Sequence, residues 1–326
     1  MKYIDLHCDT LMKMAEVNGE ESLLDNRITS VDFKRMKESK AMAQFFAIFL
    51  LSNDMFKDTG REPIPDDQYI LKLRKILLDE VDRNSDIISM AYNYDDLIEN
   101  YNNGKMSAFL TIEDGRSVDG KLEKIEKYYN LGIRLIGLTW NYENCFGFPN
   151  STDPNIMNKG LKDFGKESIE YMNDLGIIID VSHLSDGGFY DVAKISKKPF
   201  IASHSNARIL SNHPRNLTDD MIKLLAEQGG VAGLNFAPGF LNKDITSKES
   251  RIEFMVEHLN HMKNIGGEDI LALGSDFDGI SGNLEIDGSD KMPDLFKFLR
   301  KDGWTERLLE KLAYKNALRV IKEVNS

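Results

Sequence analysis

Short apolar runs alternate along this chain with longer stretches whose apolar residues recur at helical spacing. The runs cover residues 3–9, 43–51, 107–113, 134–140, 177–183, 200–204, 230–236 and 270–276. Most are continuous rather than alternating, the pattern of parallel strands buried on both faces. Between them, residues 66–83 place Ile70, Leu73, Leu77 and Val81 on one helical face. Residues 122–130, 160–175, 218–228 and 248–263 repeat that spacing. Gly132, Gly176, Gly229 and Gly266 follow four of these segments, where helix C-termini favour glycine. Two more helices are predicted over 290–299 and 305–314. Eight strands alternating with helices predict an α/β fold, a (β/α)8 TIM barrel. On pattern alone, a doubly wound open sheet is the alternative. Nothing divides the chain, so residues 1–326 are expected to form one barrel domain.

Three irregular stretches, 52–65, 141–159 and 278–289, are rich in Gly, Asn, Asp and Pro and follow candidate strands. In a barrel they lie at the face where active sites form. A chain of 326 residues needs no disulfide to stabilise its core. Cys8 and Cys145 could pair, but two cysteines make no disulfide framework. The net charge of −12 argues against nucleic acid or an anionic membrane as partner. The first residues enter a strand pattern at once, with no apolar signal region, and no run of about 18 apolar residues follows. Residues 321–326 are charged and lack the apolar tail of an anchor signal. A cytoplasmic enzyme without a membrane anchor is expected.

The candidate chemistry sits at the ends of the runs. His7 and Asp9 are two apart in a strand and so share a face, which makes part of a metal site. Glu113 closes an apolar run, where a carboxylate must be solvated, paired or coordinated, and one carboxylate can bridge two cations. His183 and His204 stand at equivalent places on consecutive runs, and neutral imidazole with carboxylate suits zinc. Asp276 ends the eighth run, beside the first once a barrel closes, and is a candidate general acid or base. Asp278 fits a turn aspartate before Gly279. Each position alone has a bland reading as a core or emerging residue. Together they put three of the chain's six histidines and three carboxylates at strand ends, where catalytic groups converge in a barrel. His258 and His261, three apart on a predicted helix, read as surface residues, and they and His213 stand outside this set.

In order, Asp5-Leu6-His7-Cys8-Asp9, Ile112-Glu113-Asp114-Gly115, Asp180-Val181-Ser182-His183, Ser203-His204-Ser205, His213-Pro214-Arg215-Asn216-Leu217 and Gly274-Ser275-Asp276-Phe277-Asp278-Gly279 span nearly the whole chain. They resemble the membrane (renal-type) dipeptidase family among the amidohydrolase-like metal barrels. The resemblance implies a dipeptide substrate and two Zn2+ ions sharing a bridging hydroxide. His7 and Asp9 would bind the first zinc, Glu113 would bridge, and His183 and His204 would bind the second. Arg215 would hold the substrate carboxylate and Asp276 would move the proton. The family's behaviour also implies a homodimer. One position departs from the pattern. Trp140 stands where the family has a histidine near the scissile carbonyl, with Asn141 beside it as a substitute donor. Other readings are an amidohydrolase acting on a cyclic amide, a lactone or a base to be deaminated, and a non-catalytic metal-binding barrel.

Overall fold

Eight parallel strands close into a ring, and each of the apolar runs supplies one of them. In the computed structural model, which describes residues 1–17, 21–58 and 60–325, eleven strands are found. They are β1 (Tyr3–Cys8), β2 (Ala41–Phe49), β3 (Ile88–Met90), β4 (Met106–Glu113), β5 (Ile133–Gly137), β6 (Ile178–Asp180), β7 (Ile201–Ala202), β8 (Val231–Leu234), β9 (Glu249–Ser250), β10 (Leu271–Leu273) and β11 (Asn283–Leu284). The ring runs β1-β2-β4-β5-β6-β7-β8-β10 and back to β1, through the additional β2–β4 pairing. This is a TIM barrel, and the open-sheet alternative is excluded. The short β3 pairs with Met106–Ala108 at the start of β4, below the point where β5 takes over that edge at Leu110. The small β9–β11 pair lies outside the ring. Thr59, within the 52–65 stretch, and Ser326, at the end of 321–326, lie outside the described residues.

Alternation along the strands sorts the core into two layers. Phe45, Phe109, Leu135, Ile178, Ile201, Val231 and Ala272 form one buried cluster, joined by Ala317, Val320, Ile321 and Val324 of the last helix. Their neighbours Phe46, Leu110, Ile136, Ile179, Ala232 and Leu273 belong to the larger cluster shared with the surrounding helices. A register shift between Asp5 and Cys8 interrupts the alternation in β1, so Leu6 joins the smaller cluster while His7 reaches the site above it.

The predicted helix over 66–83 is present as Asp66–Arg83, with Ile70, Leu73, Leu77 and Val81 buried and two aspartates in its first turn. Helices also span Leu122–Asn130, Asp163–Leu175, Asp219–Glu227 and Met292–Lys301. Thr218 caps one of them by accepting a hydrogen bond from the Met221 N–H. The segment expected over 248–263 begins only at Ile252, because residues 249–250 pair as β9. It also continues through Gly266, so Gly267 takes the positive φ expected one residue earlier. The segment expected over 305–314 begins as helix Glu306–Glu310 and continues into a π-helical turn, Lys311–Lys315. Cys8 and Cys145 are both free thiols. Among the described residues, no helix is long and apolar enough to cross a membrane.

His258 is a correction to the surface reading, since it is 1% exposed. Its Nδ1 accepts from the Ala207 N–H at 3.1 Å, so the ring proton sits on Nε2, which donates to the Leu241 carbonyl at 3.1 Å. One neutral imidazole thus ties the segment after β7 to the loop after β8. Burial pushes its pKa from 6.5 down to about 4. The unfolded chain therefore takes up this proton at higher pH than the folded one, and stability is lost as pH falls from 6.5 towards about 4. A shift of that size corresponds to about 3 kcal/mol. His258→Gln should cost about 1–3 kcal/mol at pH 7.5 through its two hydrogen bonds. Metal-free His258→Gln should then lose less further stability than metal-free wild type between pH 6.5 and 4.5 in urea titrations. Equal acid slopes would count against the assignment.

Candidate active site

Each sequence-predicted ligand is carried to the same end of the ring by the strand it belongs to or follows. Glu113 is the last residue of β4 and shares the inward face of Phe109 and Thr111. Asp276 lies beside β1, where its N–H donates to the His7 carbonyl at 3.2 Å and the Asp9 N–H donates to Phe277 at 2.8 Å. His183 and His204 follow β6 and β7. His7, Asp9, Glu113, His204 and Asp276 are buried and His183 is nearly so.

The side chains converge on Glu113. Its Oε2 lies 3.2 Å from Nε2 of His7, while its Oε1 lies 2.7 Å from Nε2 of His183 and 3.6 Å from Nε2 of His204. The His7 Nε2 is 3.6 Å from Asp9 and 3.8 Å from Asp276, and the His7 and His204 rings stack with centroids 3.9 Å apart. Three groups have ligand atoms close enough to hold a cation: His7–Asp9–Glu113, Glu113–His183–His204, and His7–His204–Asp276.

Polar partners behind the ligands fix their orientation. Asp180 accepts from the Ser203 hydroxyl at 2.6 Å, and that oxygen lies 2.7 Å from Nδ1 of His204. With the serine proton committed to the carboxylate, His204 must donate from Nδ1, which leaves the Nε2 lone pair aimed into the cluster. Asp180 also accepts from the Ser182 hydroxyl at 2.6 Å, and Asp5 accepts from the Ser275 hydroxyl at 2.6 Å, pinning β1 to β10. Asn141 Oδ1 stands 3.4 Å from Nδ1 of His183. Gly279 leaves room that no other residue could, because a Cβ there would lie 2.1 Å from the Asp9 carboxylate.

The electrostatics are those of a cluster that wants a cation. Burial raises Asp9, with Glu113 adding to it, to about 6. Burial likewise raises Asp276 to about 7 against the pull of His7. Burial favours neutral forms of His7 and Glu113 as well, but their mutual attraction overrides it, holding His7 well above and Glu113 well below their ordinary values. Burial and then Arg215 lower His183 to about 4, and burial, then His7 and Arg215, hold His204 well down. Nε2 of His7 and Oδ1 of Asp9 are buried without a hydrogen bond among the described residues. Buried, unpartnered donor atoms within the close-set ligand groups fit a metal.

Arg215 is also buried beside the cluster. Its guanidinium donates to the Ser182 carbonyl, to the Ser205 hydroxyl at 2.9 Å and to the His204 carbonyl at 3.1 Å. Its Nε is left without a partner among the described residues. One donor of the guanidinium is therefore uncommitted, and a carboxylate is the group it suits. His213 accepts from the Arg215 N–H at 3.1 Å and packs on Phe240.

These groups open into a cavity of about 520 Å3. Trp140 and Asn141 line it, and Trp140 packs edge-on against Phe49 at 4.9 Å. Met55, Asn150 and Ile280 bring all three predicted mouth stretches to its wall. A fourth stretch, not predicted from the sequence, also lines it through Pro238, Phe240 and Lys248. The Pro238-Gly239 pair directly after the 230–236 run was the available signal. Asp278 accepts from the Thr10 hydroxyl at 2.5 Å and from the Ser30 N–H at 2.8 Å, as a structural aspartate. His261 is half-buried and pairs with Asp219 at 2.7 Å, away from the site.

Comparison with known proteins gives the family and the fold. The family model described as membrane dipeptidase (peptidase family M19) matches residues 1–326. A chain of Schizosaccharomyces pombe, described as an uncharacterized dipeptidase, is 32% identical over 321 residues, covering 96% of this chain and 75% of that one. A metallo peptidase from Rhodobacter sphaeroides, solved with a phosphinate mimic of the dipeptide L-Ala-D-Ala, superposes with a TM-score of 0.88 at 26% identity, covering 99% of both chains. The solved structure of dipeptidase AC, a metallo peptidase of family M19, gives a TM-score of 0.87 at 27% identity, over 100% of this chain and 99% of that one.

Proposed function

The chain belongs to the membrane dipeptidase family and is a metal-dependent hydrolase of peptide bonds, and on that footing we propose that it cleaves dipeptides at a centre of two zinc ions. His7 and Asp9 would hold one ion, His183 and His204 would hold the other, and Glu113 would serve both. The observation that carries this reading is the division of the Glu113 carboxylate, with one oxygen facing His7 and the other facing His183 and His204. When bound, the ions supply an acidified water near neutral pH and a positive charge for the developing oxyanion.

The chain's own residues do the rest. Arg215 receives the substrate carboxylate on its uncommitted Nε donor, which favours dipeptides over internal peptide bonds. Asp276 takes a proton from the attacking water and passes it to the leaving amine. Asn141 steadies His183 through Nδ1, and with Trp140 it forms the wall beside the scissile bond. The dipeptide mimic bound by the Rhodobacter sphaeroides relative supports testing a D residue at the second position.

The test is hydrolysis of an L,L and L,D dipeptide library, with lactams, lactones and nucleobases alongside and with zinc removed and restored. Zinc-dependent cleavage of dipeptides by protein holding two ions per chain is expected. Turnover only of a lactam, lactone or base would replace this reading with another amidohydrolase activity. Within the same panel, Arg215→Lys should raise KM for free-carboxylate dipeptides about tenfold or more, through loss of a charge-assisted contact. Dipeptide amides should be little affected. An equal effect on both would remove Arg215 from carboxylate binding.

A further inference from the structure

Asn235, directly after β8, is fully buried and belongs to none of the ligand groups. Its side-chain Oδ1 accepts from the Ala237 N–H at 2.7 Å. An N–H can only donate, so this bond fixes which end of the amide is oxygen. The NH2 end must then face the site, where it donates to Oδ2 of Asp276 at 2.8 Å and to the His204 carbonyl at 3.3 Å. The backbone of Asn235 is held in turn by Asn206, whose Oδ1 accepts from the Asn235 N–H and whose Nδ2 donates to the Asn235 carbonyl, both at 2.9 Å. Neither end of Asn235 is therefore free to turn.

The consequence falls on Asp276. A carboxylate rotates easily between two equivalent settings. The backbone of Asp276, at φ +63, directs the group towards the cluster but does not choose between its oxygens. The bond from Asn235 engages Oδ2 and leaves Oδ1 facing His7 at 3.8 Å. The His204 carbonyl that Asn235 touches also accepts from Arg215 at 3.1 Å. One carbonyl and one amide thus join the group that would grip the substrate to the group that would move its proton.

We infer that Asn235 is a positioning residue that holds one Asp276 oxygen so that the other faces the reacting atoms. The inference rests on the reading of Asp276 as the proton carrier. Asn235→Asp is the most informative variant, because it keeps the shape and the bond from Ala237 but replaces the NH2 donor with an oxygen. Asn235→Ala removes both ends. In zinc-loaded protein, both should lower kcat about 10- to 100-fold with KM within about threefold of wild type and zinc per chain unchanged. A purely structural role would lower the melting temperature without that split. A kcat within twofold of wild type for Asn235→Asp overturns the inference, as does a loss of activity that tracks loss of zinc, which would mean that Asn235 serves His204 alone. Asp276→Asn, run in parallel, separates the two claims. If it keeps wild-type turnover, the proton-carrier reading fails. If it is inactive while Asn235→Asp is normal, only the positioning role fails.

Discussion

His204→Ala should lose at least about a thousandfold in dipeptide turnover while the barrel stays folded, a loss of roughly 4 kcal/mol of transition-state stabilisation. The imidazole is 1% exposed, and its Nε2 stands 3.2 Å from that of His183 and 3.6 Å from Glu113. Without it, one of the two proposed zinc sites keeps only His183 and a share of Glu113, too few protein ligands for a tetrahedral ion. The fold should survive because the apolar clusters on both sides of the ring do not include this side chain. A lowered melting temperature is still expected, since the Ser203 hydroxyl loses its Nδ1 partner. Circular dichroism, zinc per chain and kcat measured together make the check. Folded variant with near wild-type turnover and zinc removed would sink the two-metal reading. Ser203→Ala should be milder, at about 10- to 100-fold in metal affinity, because it removes only the group behind the ligand.

The contrast between those variants follows the line between what the chain reveals and what it conceals. His7, Asp9, Glu113, His183, His204 and Asp276 were legible because each interrupts or closes an apolar run with a residue type that burial alone disfavours. The roles of Asp180, Ser203 and Asn235 were not, since they come from side-chain hydrogen bonds between neighbouring strands of the ring, which no spacing along the chain announces. The ring was legible from the runs, but β3 was not. It is three residues long and pairs only with the foot of β4, so it leaves almost no periodic signal. The helix Asp186–Ile195 was not predicted, and Gly187 and Gly188 in its first turn weaken its helical signal. Gly187 is there for close packing, as a Cβ would lie 2.5 Å from the carbonyls of Asn158 and Lys159. His258 was misplaced for a different reason. Met255, Leu259 and Met262 define the buried stripe of its helix, and position 258 lies on that stripe. Its polarity suggested surface where the spacing already said core.

Asp276→Asn should lower kcat about 100- to 10,000-fold with little change in KM, the range for loss of a positioned general acid–base. The substitution preserves volume, and its amide oxygen can still accept from Asn235, which now donates to Oδ2 at 2.8 Å. The change is then confined to the atom facing the cluster, which can no longer take up and release a proton. Burial raises this carboxyl to about 7 in the metal-free cluster, against the pull of His7. Zinc content must be measured on the same samples, because Asp276 also stands within ligand distance of His7 and His204. Unchanged zinc with depressed kcat would assign it proton transfer. A parallel fall in zinc would make it a metal ligand instead. Retained turnover would leave the leaving amine without a proton donor among the residues assigned to the site, and the acid–base half of the mechanism would have to move to another group.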